Sequence, residues 1–432
     1  MGVLADETLP RGELEQQQLE RLRSQLTIML ADNPFYRNKL HAAGIRSATD
    51  ITCMADLTRL PHTTKQELSE DQREHPPYGT NCSLPHEAYS RLHQTSGTTG
   101  ERLRWLDTPQ SWNWWGRCWQ AVYRAAGVGA DDRIFFAFSF GPFIGFWSAY
   151  EGASQLGALA ITGGGMSSQQ RLQAILANQA TVLVCTPTYA LHLAEVANGL
   201  GMDIANSAIR RTIHAGEPGA SIPATKSKIE RAWGARCFDH AGATEVGAWG
   251  FECDAQDGLH VNESEFICEV LDPQTLQPSE EGELVVTNLD RAAMPVVRYR
   301  TGDRVRWHDQ DKCPCGRTYR RIAGGVIGRL DDVLIIRGIN VYPSAVEAAV
   351  RQFDQIVEYA VEAFRRGEMD ELVVRVELVE GESDDAGSLR ADLERALHEN
   401  LGIRAGVEFA GSRELPRFEL KAKRVTDSRP RP

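Results

Sequence analysis

The run His93-Gln94-Thr95-Ser96-Gly97-Thr98-Thr99-Gly100 has the composition of an anion cradle. Glycines let a backbone approach a ligand closely, and Ser/Thr hydroxyls with successive N–H groups can surround anionic oxygens. An ordinary flexible turn is the competing reading of the same letters. Farther along, His240-Ala241-Gly242-Ala243-Thr244-Glu245 and Tyr299-Arg300-Thr301-Gly302-Asp303 each end on a carboxylate. A hard dication beside phosphates wants such an oxygen, and an aspartate can accept two donors at once. Near the C-terminus, Leu415-Pro416-Arg417-Phe418-Glu419-Leu420-Lys421 brings an ammonium, with Lys423 and Arg424 close by; a solvated basic terminus is the alternative there. No Gly-x4-Gly-Lys-Ser/Thr sequence occurs, which excludes a Walker-type phosphate site.

Two further clusters stand apart from this set. Cys313-Pro314-Cys315-Gly316 offers two thiolates where structural zinc wants four ligands. Cys253 and His260 could complete the shell, and a pair of reduced thiols in a turn is the other reading. Phe138-Ser139-Phe140-Gly141-Pro142-Phe143-Ile144-Gly145-Phe146-Trp147 is dense in rings, suited either to the walls of a pocket for a flat acid or to ordinary core.

The elements that must position these groups follow from periodicity. Residues 11–44 carry helical spacing. Between 112 and 290, short apolar runs such as 133–138, 181–185 and 211–215 alternate with helical stretches, the pattern of an α/β layer with strands buried on both faces. Trp112, Trp115 and Trp119 fall on one helix face. Gly282–Thr287 and Val296–Arg300 read as an antiparallel β unit. Beyond residue 332, helices at 343–353 and 388–401 and strands at 356–364, 371–378 and around Val407 describe a small α+β domain. The predicted fold is thus α/β: a large domain of several subdomains with a β unit over 1–328, and a small domain over 329–432.

The chain has 432 residues and a net charge of −12. It carries no basic patch of the kind that binds nucleic acid and no apolar run long enough for a bilayer. The first residues lack a secretory signal, and nine scattered cysteines argue against a disulfide framework. A reducing cytoplasm is the expected location.

In their order and separation, the 93–100, 240–245, 299–303, Gly328-Arg329-Leu330-Asp331-Asp332 and 415–421 segments resemble the core motifs of the adenylate-forming superfamily. Asn33-Pro34-Phe35-Tyr36-Arg37, Leu60-Pro61-His62-Thr63-Thr64-Lys65, Gly216-Glu217-Pro218-Gly219 and Ile335-Ile336-Arg337-Gly338-Ile339-Asn340-Val341-Tyr342-Pro343 resemble its phenylacetate-CoA ligase branch. The resemblance implies that Thr95, Ser96, Gly97, Thr98, Thr99 and Gly100 hold the β- and γ-phosphates of ATP. It implies that Thr244 meets the α-phosphate and that Glu245 carries Mg2+. Gly216, Glu217, Pro218, Ala241 and Gly242 would border the adenine, with Ala241 standing where many relatives have Tyr. Asp303 would bind the ribose hydroxyls, with Arg329 as a second ribose or phosphate contact.

By the same resemblance, Lys421 would bridge substrate carboxylate and α-phosphate, although Leu420 replaces the usual Gly and Glu101-Arg102 replaces a frequent Lys-Pro. Asp331 would be the hinge of a mobile C-terminal domain, and Gly338 would line the channel for the pantetheine of coenzyme A. Phe140, Gly141, Pro142, His214 and Ala215 would border the acid. Cys253, His260, Cys313 and Cys315 would hold zinc, as in some members of the branch. The implied activity is that of an ATP-dependent, AMP-forming aryl-CoA ligase acting on an aromatic carboxylic acid, in a homodimer. Transfer of the acyl group to a carrier-protein thiol or an amine is the alternative.

Overall fold

The computed structural model describes residues 3–95, 102–310, 312–367, 369–379, 386–419 and 421–429. Its spine is an eight-stranded sheet, in spatial order Arg321–Ile322, Leu259–Val261, Gly247–Glu252, Arg236–Ala243, Arg211–His214, Val182–Cys185, Arg133–Phe136 and Leu159–Thr162. The last five run parallel and the first three antiparallel. Val182–Cys185 is buried along its whole length, as a strand covered on both faces must be.

Helices pack on the sheet. Pro109–Ala125 begins at Thr108, whose hydroxyl accepts the N–H of Ser111. It buries Trp112, Trp115 and Trp119 as the spacing predicts, and also Trp114, whose indole N–H donates to Glu265 at 2.8 Å. The opening helical stretch divides into Arg11–Asp32 and Pro34–Ala42, because Asn33 caps the second helix and Pro34 starts it.

A second sheet, all antiparallel, joins Phe266–Leu271, Glu281–Asn288, Tyr299–Arg306 and Gly328–Arg329. Its third strand begins at Tyr299, three residues later than the apolar run suggests. Arg298 turns the chain at a φ of +43° and donates to Glu269 and to the carbonyls of Thr58 and Leu60.

From Leu334 onward a separate hydrophobic core forms, centred on Ile336, Val346, Val361, Val374, Leu393 and Val407. Ile356–Arg366 and Met369–Leu378 pair antiparallel at the centre of its sheet; Gly406–Ala410 and Val425–Asp427 add parallel on either side. The helices Pro343–Val350 and Ala386–Leu401 complete the layer. A short hairpin, Leu334–Ile336 with Ile339–Val341, turns through Arg337 and Gly338, both at positive φ. The bonds joining this body to the larger one are polar. Glu347 accepts from Thr225, Lys228 donates to the Phe353 carbonyl, and Arg231 forms a two-pronged pair with Asp354. Among the described residues, no helix is long and apolar enough to cross a membrane.

Candidate active site

Loops that leave the carboxyl ends of parallel strands face one crevice, the usual ligand position in such sheets. Three of these loops hold the residues singled out by the sequence. Arg133–Phe136 leads to the aromatic run, Arg211–His214 to Ala215–Pro218, and Arg236–Ala243 to Thr244-Glu245.

Thr244 and Glu245 lie in the turn between Arg236–Ala243 and Gly247–Glu252, just after a bulge at Ala241–Ala243. A side chain at Gly242 would place its Cβ 2.8 Å from the Gly247 carbonyl, so the bulge requires glycine. Behind the turn lies Arg291, wholly enclosed and paired in two prongs with the equally enclosed Asp107 (2.8 and 3.0 Å). Arg291 also donates to the carbonyls of Thr244 (2.8 Å) and Glu245 (3.2 Å), with the Trp105 and Trp115 rings 5.4 and 5.0 Å away. The Glu245 carboxylate accepts from the Tyr299 hydroxyl at 3.3 Å and has no cationic partner among the described residues. A buried carboxylate without a cation suits a hard dication.

Asp303 pairs across the antiparallel ladder with Arg329, whose guanidinium lies 3.5 Å from its carboxylate and grips Asp331 at 2.7 and 2.9 Å. Burial pushes the Asp303 carboxyl up to about 6, against the pull of Arg329 and then of Lys421. The Lys421 ammonium is thus close enough to act on Asp303, although its side chain is exposed and 118 residues separate the two in sequence. Arg424 is not part of a solvated terminus: it is buried, paired with Glu358 at 2.6 and 3.0 Å.

The Gly216 turn, at φ +94°, is open to solvent. The Glu217 carboxylate is taken up within the protein. Both its oxygens are engaged by the protein, one accepting the Thr188 N–H (2.9 Å) and the other the Ala422 N–H (2.8 Å), so the loop offers a ligand only backbone and Pro218. His214 is fully enclosed, its Nδ1 3.1 Å from the Cys185 carbonyl, with Ala215 half-buried beyond it. Burial lowers the imidazole to about 4, so the ring is neutral.

In the aromatic segment, Phe138 stacks on Phe146 at 3.7 Å, while Phe140 meets Trp147 edge-on at 4.6 Å and Tyr150 at 5.9 Å. The Trp147 indole N–H closes the turn on the Gly141 carbonyl. The Pro142 carbonyl accepts the Gln94 N–H, which ties this segment to the hairpin of Arg91–Gln94 with Arg104–Asp107. Thr95 extends that hairpin by exchanging bonds with Leu103. Ser96, Gly97, Thr98, Thr99 and Gly100 lie outside the described residues.

The sequence is 34% identical to a phenylacetate-coenzyme A ligase of Pseudomonas putida, over 98% of this chain and 96% of that one. The match to the enzyme of the same description from Escherichia coli K12 is also 34%, over 98% and 97%. This chain belongs to the phenylacetate-CoA ligase family. Residues 338–429 of this family member match the AMP-binding enzyme C-terminal domain. Among solved structures, 2-hydroxyisobutyryl-CoA ligase in the postadenylation state with R3-HIB-AMP superposes with a TM-score of 0.92, at 30% identity, covering 98% of this chain and 91% of that one. The same ligase in its thioesterification state with 2-HIB-AMP and CoA gives 0.74 over the same shares. This family member thus superposes more closely on the former structure than on the latter.

Away from the crevice, Cys253, His260, Cys313 and Cys315 converge, all their donor atoms within 4.8 Å of one another. The Cys253 and Cys313 sulfurs are 3.6 Å apart, and the Cys315 sulfur is 3.5 Å from His260 Nε2. Metal–donor bonds of about 2.0 to 2.3 Å in a tetrahedron call for edges near these lengths, so the donor set fits zinc.

Proposed function

We propose that this family member is an AMP-forming aryl-CoA ligase. It activates an aromatic carboxylic acid with ATP as its acyl-adenylate and then forms the thioester of coenzyme A. The observation that supports this reading best is the buried Glu245 carboxylate, without a cationic partner among the described residues, in the turn beside Thr244. In the first step a carboxylate oxygen of the acid bonds to the α-phosphorus, and the bond to the departing pyrophosphate breaks. Two anions must meet, so positioning and charge supply the catalysis. Lys421 neutralises the oxygens of both reactants, Thr244 bonds the α-phosphate, and Glu245 is the carboxylate that would hold Mg2+ against the phosphates. The rings of Phe140, Phe146 and Tyr150 form the wall for a flat acid. In the second step the thiol sulfur of coenzyme A bonds to the acyl carbon and AMP departs. Asp331, exposed between Arg329 and the second core, is the hinge, and the open turn at Gly338 approaches the pantetheine.

Acid-dependent pyrophosphate release, measured over a panel of aryl and aliphatic acids with and without coenzyme A, tests the reading. Release that requires an aryl acid and turns over faster with coenzyme A is expected. Release limited to about one equivalent of enzyme and indifferent to coenzyme A would instead mean transfer to a carrier protein or an amine.

The four-donor cluster is proposed to hold one structural zinc ion. Cys315→Ser is expected to weaken metal binding by more than about 100-fold, because loss of even a supporting residue around a zinc site costs 10- to 100-fold. Metal content by atomic emission and affinity by competition with a chromogenic chelator check this, and full retention of zinc by the variant would refute it.

A further inference from the structure

Glu217 does something that its place in a nucleotide-bordering loop does not predict. It follows the open Gly216 turn, and its two carboxylate oxygens face two backbone donors. One is the N–H of Thr188, in the first turn of the helix Pro187–Gly199, where backbone N–H groups lack partners within the helix. The other is the N–H of Ala422, the residue directly after Lys421. The positive end of the helix favours a negative charge at this point, so the carboxylate is held by the large body while it holds the chain of the small one.

Two more groups reach the same helix from the small body. Arg424 pairs with Glu358 of its own sheet and donates to Thr188 Oγ1 at 3.2 Å. Arg417 pairs with Glu377 at 2.6 Å and with Glu195, on the same helix, at 2.9 Å. The division of labour differs. The arginines fix how the small body sits. Glu217 alone of the three grips the backbone next to Lys421, and so fixes where that ammonium can reach.

We propose that Glu217 is a positioning residue for the adenylation half-reaction, holding Lys421 over the nucleotide site through Ala422 and releasing it before thioester formation. The assignment rests on the function proposed above. It also matches the overall disposition, which follows the postadenylation structure of a related ligase far better than the thioesterification structure of the same enzyme. A glutamine cannot replace the carboxylate: its one oxygen can serve one N–H, and its amide NH2 would face the other donor.

The test separates the two half-reactions of Glu217→Gln. Acid-dependent exchange of pyrophosphate into ATP reports adenylation; thioester formation from a supplied acyl-adenylate and coenzyme A reports the second step. Losing a charge-assisted grip should lower kcat for exchange by about 10- to 100-fold, while KM for ATP moves less than about 3-fold and thioester formation less than about 3-fold. Glu217→Asp keeps both oxygens on a shorter arm and should show the same split with a smaller loss. It also serves if the glutamine variant yields too little folded protein. Equal losses in both half-reactions would overturn the proposal, and so would a rise in KM for ATP with kcat intact, which marks a nucleotide contact. A wild-type enzyme without acid-dependent exchange would overturn the ligase reading itself, and the proposal with it.

Discussion

Lys421→Ala is expected to lower acid-dependent pyrophosphate exchange by at least about 100-fold, the cost of removing a preorganised charge-stabilising group from a transition state. The first step sets a carboxylate against a phosphate already rich in negative charge, and the Lys421 ammonium is the cation proposed to serve both. Its side chain is exposed, so it does not brace the fold. Stability should therefore be unchanged, and thioester formation from a supplied acyl-adenylate should keep most of its rate. Arginine at this position should not restore exchange, because a planar fork presents its charge differently from a compact ammonium. Exchange kinetics on the purified variant decide the matter; a loss below about 3-fold would remove Lys421 from the chemistry.

Arg291→Met should be the most destabilising single change near the site, costing about 3 to 5 kcal/mol, because it leaves the enclosed Asp107 carboxylate without its partner. The same change also frees the carbonyls of Thr244 and Glu245. Adenylation should therefore fall even at temperatures where the variant stays folded. Urea unfolding measures the first effect and pyrophosphate exchange at low temperature the second. Asp107→Ala placed on Arg291→Met should add little further loss, since the two residues act as one unit.

Contiguous signals made much of this molecule legible. The α/β alternation, the strands at 133, 182 and 211 and three of the four strands of the C-terminal sheet follow from local periodicity, whereas the short fourth, Val425–Asp427, does not; the motifs at 240–245 and 299–303 are short enough to be seen whole. What was hidden depends on partners far along the chain. The letters of Asp107 and Arg291 are unremarkable until folding brings together positions 184 residues apart. Glu217 meets Ala422 across 205 residues, and no local spacing points to that bond. Trp114 lies off the predicted helix face, yet it is buried because the sheet covers a second side of the helix, where Phe266 packs 5.4 Å from its ring. Two of the four clustered donors, Cys313 and Cys315, stand together in one turn of the sequence, whereas their convergence with Cys253 and His260 is a product of the fold.

The polar seam between the two bodies has a thermodynamic consequence. Their hydrophobic cores share no residue, and the bonds across the seam are ion pairs and hydrogen bonds involving Glu217, Glu195, Arg231, Arg417 and Arg424. Rotating one body against the other must break these charged contacts, so the balance between orientations should answer to ionic strength.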